Sequence, residues 1–283
     1  MAAPAHLQQY LEVLSEDPVD PPLLVVSRKK QLYLGRHVFG FAAIGFGIIS
    51  LVWHDLGGPW QQTQALGNFS HHQLLVYLIA VLEIFGGVAI QWTRAGRAGA
   101  FVLWLNYLTF ALLWVPRILA EPLIYDRWGN FFEQFSLVSG ALIVWATLGR
   151  RSQPATKVAR TGYIFFGICV VSFTLEQLFY LSATAEFVPK WIPPGQMFWA
   201  VTTTIAFALA AIALLSGKLA LLAARLSTAM IAGFGLLVWL PRLFADPHNL
   251  ISWAGNAQNL AIAGAACIVA DFLERNRMLD TKS

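Results

Sequence analysis

Two long stretches without a single charged residue, Phe101 to Val115 and Met197 to Ser216, most constrain this chain. About 20 residues rising 1.5 Å each cross the roughly 30 Å hydrocarbon core of a bilayer. The runs are continuous, without the apolar/polar alternation of barrel strands, so they predict helices. Composition agrees: 57% of residues are hydrophobic and 12% charged, too few charges to cover a water-exposed domain.

Eight spans are predicted, at about 36–54, 72–92, 98–116, 131–149, 161–181, 197–216, 219–240 and 253–273. Lys and Arg set their direction. Fourteen fall on one set of alternate segments, ending with Arg275, Arg277 and Lys282. The other set carries four: Arg117, Arg127, Lys190 and Arg242. Arg225 lies inside the seventh span and is expected to snorkel back to the richer side. Both termini are therefore expected in the cytoplasm and the chain in a bacterial inner (plasma) membrane. Residues 1–33 read as a cytoplasmic lead-in, with a short amphipathic helix near Leu7 to Leu14 and no secretory signal.

The phrase WVPRILAEP at Trp114 returns as WLPRLFADP at Trp239, 125 positions later. The same shift pairs Trp128 with Trp253, and Ile143 and Val144 with Ile268 and Val269. The expected fold is thus an all-α integral membrane protein whose eight helices form two parallel four-helix repeats, 34–150 and 158–275. A basic linker (151–157) joins them and a cytoplasmic tail (276–283) follows. Within the phrase, Trp is expected at the headgroup level. Pro116 or Pro241 loosens the last turn, and Arg117 or Arg242 suits a helix C-terminus. Glu121 or Asp246 lies within reach of its Arg if the turn persists. Phe131 and Asn256 are expected to open the following spans. The corner reads either as a helix stop with a surface ion pair or as two related anion sites.

These residues resemble the DoxX family of small bacterial membrane proteins, four-helix units with a "PR…(D/E)P" phrase after the third helix. VPKWIPPGQMFWA (Val188 to Ala200) resembles the Pro-rich, aromatic segment before the second helix of such units. The chain departs from the family pattern in carrying two units, and its first half has GNFSHHQ where the second has WIPPG. The resemblance implies a membrane subunit. Some members resemble the small membrane subunit of thiosulfate:quinone oxidoreductase, and others belong to membrane redox or oxidative-stress complexes. A quinone cofactor and a redox partner subunit follow from the resemblance alone.

Acids within predicted spans are costly and are candidate functional groups. Glu83 lies in span two, beside Gly86 and Gly87 that let a neighbouring helix approach. Glu176, followed by Gln177, lies in span five at a similar depth. Glu133 and Gln134 open span four and correspond to Gln258 and Asn259 in span eight. The candidate ligand-binding set is Glu83, Glu176, Arg117, Glu121, Arg242, Asp246, Glu133 and Gln258. Glu83 and Glu176 correspond across the repeat to Ala208 and Leu51, so a central site would be asymmetric. His54, His71 and His72 read as polar surface groups, and His37 beside Arg36 as a headgroup contact. Cys169 and Cys267 fall inside spans without a CxxC or Cys/His cluster, against a disulfide framework or zinc site. Phosphate loops, dinucleotide fingerprints, nucleophile elbows and HExxH are missing from the sequence, so no stand-alone catalytic motif is expected. The net charge of +4 fits a lipid-facing basic rim rather than nucleic-acid binding. Three functions remain open: a subunit of a quinone-linked redox process, a solute or ion transporter with its path between the repeats, and a scaffold. A path would use polar positions such as Asn106 and Thr202 to Thr204.

Overall fold

The computed structural model describes residues 34–57, 61, 71–149 and 152–280. The lead-in helix near Leu7 and the basic residues 28–30, 150, 151 and 282 lie outside them. The helices are α1 (Leu34–Trp53), α2 (His72–Ala89), α3 (Gly96–Ala120), α4 (Tyr125–Thr147), α5 (Gln153–Phe179), α6 (Leu181–Phe187), α7 (Gln196–Ser216), α8 (Ala220–Phe234), α9 (Leu240–Ala245) and α10 (Leu250–Asp280). A π-helical turn, Gly235–Trp239, joins α8 to α9. There is no strand among the described residues.

Among the described residues, seven helical stretches are long and apolar enough to cross a membrane, Ala220–Ala245 counting as one. The eighth long helix is α4, with 23 residues; Asp126, Arg127, Asn130, Glu133 and Gln134 sit in its first half. Bare outward faces support the membrane assignment. Phe41, Leu78, Leu105, Leu112, Leu209 and Ile212 are all exposed, a pattern that lipid satisfies and water does not.

Several ends differ from expectation. Pro116 lies inside α3, which continues to Ala120. The next helices begin at Tyr125 and Leu250 rather than at Phe131 and Asn256. Most of the expected linker is helical, because Ser152 accepts the Ala155 N–H at 3.3 Å and Pro154 occupies the first turn. Helix α10 likewise takes in the start of the expected tail. Pro241 has no N–H to give the preceding turn, and the ladder widens there into the π turn.

The described residues form one compact unit. Neighbouring helices pack in the ring α1–α2–α3–α4–α5–α7–α8–α10, and α10 closes it on α1. Helices α4 and α10 also meet each other. Segments 34–150 and 158–275 are therefore not separate bundles: α1 packs on α10, and α5 packs on α4. Small residues allow these approaches. A Cβ on Gly264 would stand 2.7 Å from the Phe39 backbone, and one on Gly162 would stand 2.8 Å from the Ile143 side chain. The core follows the same seams, through Phe39, Phe46, Tyr107, Leu137, Phe166 and Val269.

Candidate functional site

The two corner phrases fold alike. The backbone N–H of Glu121 donates to Arg117 O, and that of Asp246 to Arg242 O, each at 2.9 Å. Each acid then leaves the helix in a non-helical conformation (φ −136°, ψ 64° and φ −143°, ψ 79°). Six residues after the second Pro, the indole N–H of Trp128 or Trp253 donates back to the carbonyl of Pro122 or Pro247, at 3.0 and 2.8 Å. Trp199 makes the same bond to Pro193 at 2.9 Å, in the WIPPG segment.

The corners do not form the expected ion pairs. Glu121 pairs with Arg127 at 3.0 Å, because the turn ends before its side chain can follow the helix back toward Arg117. Asp246 instead accepts from Asn249 at 3.0 Å. Each Arg stacks on the Trp three residues before it, Arg117 at 5.5 Å and Arg242 at 5.2 Å. Arg242 also lies 4.4 Å from the Phe187 ring. Trp114 is 2% exposed and packs among the helices rather than facing outward, whereas the part-buried Trp239 lies over Gly255, where any side chain would collide with its ring.

Three predicted residues come together. Glu133 of α4, Glu176 of α5 and Gln258 of α10 line one cavity of about 160 Å³ at the corner end of the bundle. Aromatic walls come from Phe173, Phe207, Phe234 and Trp239. The Glu176 carboxyl lies against Gly129, where a Cβ would overlap it. Oε2 of this carboxyl is buried without a hydrogen-bond partner. Gln134 Nε2 donates to Gln258 Oε1 at 3.1 Å, and Gln258 Nε2 is likewise buried and unpartnered. Gln258 is 2% exposed, so its amide N–H groups have no solvent in place of a partner. The cavity thus holds an orphan donor and an orphan carboxyl oxygen inside an aromatic wall. Asn259 and Gln177 also line it but are engaged: Asn259 Nδ2 donates to Ile231 O at 3.0 Å, and Gln177 Oε1 accepts from Thr203 and Thr204.

Glu83 is not in this cavity. It is fully buried, and its Oε1 accepts from Gln61 Nε2 at 2.6 Å and Asn106 Nδ2 at 3.2 Å. This is a polar node on α2 and α3, closed by a residue of the α1–α2 connection. The remaining polar groups are also placed. His37 Nδ1 faces Gln91 Oε1 at 2.6 Å instead of standing free for headgroups. His54 Nδ1 faces Tyr77 OH at 2.9 Å. Arg225 pairs with Glu274 at 2.7 Å. Gly129, Gly255 and the phenylalanines of the wall carry no sequence signal of their own, because their roles depend on which helices meet.

No protein-family model, curated protein or solved structure matches this chain.

Proposed function

We propose that this chain is a DoxX-like membrane subunit that binds the ring of a quinone for a redox partner supplying the electrons. The observation that carries this reading is the pair of orphan polar atoms, Gln258 Nε2 and Glu176 Oε2, in one aromatic-walled cavity. A quinone ring presents carbonyl acceptors on a flat apolar body. Gln258 offers an N–H to one carbonyl, and Glu176, once protonated, offers an O–H. Size favours a ring alone. A cavity of roughly 150 Å³ takes one benzene-sized molecule, whereas drug-sized ligands need about 300 Å³ or more. A prenyl tail would leave the cavity toward lipid.

The architecture we propose is eight spans, from two four-helix units run in parallel across a bacterial inner membrane with both termini cytoplasmic. Three contacts support the duplication. The two corners share their hydrogen bonds. The α1–α10 and α5–α4 seams use Ile268 and Ile143, 125 positions apart, against Gly35 and Gly162. Gly140 meets Ala265, also 125 positions on.

The test is solvent extraction of protein purified in mild detergent, assayed for quinone. Retained quinone, lost in Glu176→Gln or Gln258→Leu, supports the proposal; quinone-free wild type from quinone-replete membranes contradicts it.

A transporter is the second reading. A second cavity opens at the other end of the same α4–α10 seam, and the Gly140–Ala265 contact lies between the two. Cysteine labelling of Glu133→Cys from one side and Thr147→Cys from the other, both changed by one solute, would support it.

A further inference from the structure

The second cavity, about 290 Å³, lies where α1 begins and α4 and α10 end. Arg36, Thr93, Thr147, Asp271 and Arg275 supply its polar lining, and Ile268 and Phe272 are among its apolar walls. Arg36 holds its Nε toward His37 Nε2 at 3.4 Å, while its Nη1 is buried without a partner. Arg275 spends one N–H on Thr147 O at a long 3.4 Å. Asp271, the one acid of the lining, accepts the Gly35 N–H through Oδ2 at 3.0 Å. The lining thus holds two guanidinium groups and a single carboxylate, which is already engaged by backbone. A buried guanidinium N–H without an acceptor is costly. Each guanidinium presents several donors in a planar fork suited to the oxygens of a phosphate.

We propose that this cavity binds a phosphate group, with the phosphate on the Arg36 and Arg275 donors. The apolar wall formed by Ile268 and Phe272 fits the first methylenes of a lipid that carries it. Basic clefts between membrane helices hold anionic headgroups by this combination of charge and apolar support. The proposal does not depend on quinone binding at the opposite end of the seam.

The test uses the full chain, delipidated in detergent, with added phosphatidylglycerol, phosphatidylcholine or inorganic phosphate. Native mass spectrometry counts bound lipid, and thermal unfolding reads stabilisation. We expect retained phosphatidylglycerol adducts and a raised melting temperature, with phosphatidylcholine weaker by tenfold or more. Stabilisation by inorganic phosphate alone, equal to that by phosphatidylglycerol, assigns the site to a free anion. Arg36→Gln and Arg275→Gln should each reduce binding about tenfold. Thr93→Glu adds a negative charge at the exposed mouth without removing a buried group. It should weaken binding while leaving the apo melting temperature unchanged, so the test survives misfolding of an arginine variant. Equal retention of the two lipids with no effect of phosphate, or binding indifferent to Thr93→Glu, overturns the proposal.

Discussion

Gly140 of α4 and Ala265 of α10 face each other so closely that a Cβ on the glycine would stand 2.9 Å from the Ala265 Cβ. The seam between α4 and α10 crosses the ring of helices and separates the two cavities. Without a side chain at 140 the helices approach to backbone contact, the use of small residues typical of membrane helix pairs.

Gly140→Leu should wedge this seam open. Overpacking of a close interior contact costs about 1–3 kcal/mol. Thermal unfolding in detergent should show a lower midpoint than Gly140→Ala gives. An unchanged midpoint for the leucine variant would contradict the close approach.

The three Trp–Pro bonds should each contribute modestly. Trp128→Phe and Trp253→Phe keep the ring and remove the N–H, so each should destabilise by roughly 0.5–1.5 kcal/mol. Because the corners are built alike, the two losses should be similar. Chemical denaturation of each variant and of the pair measures this.

Glu83 gives a sharper contrast. Glu83→Gln keeps an acceptor for Gln61 and Asn106 and should change stability little. Glu83→Leu strands both donors in the interior and should cost about 1–3 kcal/mol for each group left unpaired. Neither change should alter ligand binding at the Gln258 cavity, since Glu83 does not line it.

Orientation is tested by reporter fusions. A fusion after residue 60 should report the periplasmic side and one after residue 155 the cytoplasmic side. The reverse pattern would overturn the direction set by the Lys and Arg distribution.

Much of the architecture was legible because membrane helices announce themselves by continuous apolar sequence. The recurrence of the Trp-Pro-Arg phrase likewise marked two corners that fold alike. The site was legible in part. Glu133, Glu176 and Gln258 stood out as polar residues at span depth, and they share a cavity. Glu83 stood out for the same reason but belongs elsewhere, since polarity alone does not say which helices adjoin. The packing of α1 on α10 is a long-range choice that no local pattern encodes. The corner ion pairs were misjudged because Arg117 and Glu121 are four residues apart only along a helix, and the helix ends between them. Arg127, six residues beyond Glu121, comes within 3.0 Å through the turn itself.

A quinone ring in the Gln258 cavity would lie against Trp239 in its wall, which provides the readout. Titrating purified protein with a short-tailed ubiquinone analogue should quench tryptophan fluorescence saturably. Gln258→Leu should weaken that binding at least tenfold, while Glu83→Gln leaves it intact. Quenching that never saturates, or saturates identically in the wild type and Gln258→Leu, would contradict quinone binding in this cavity.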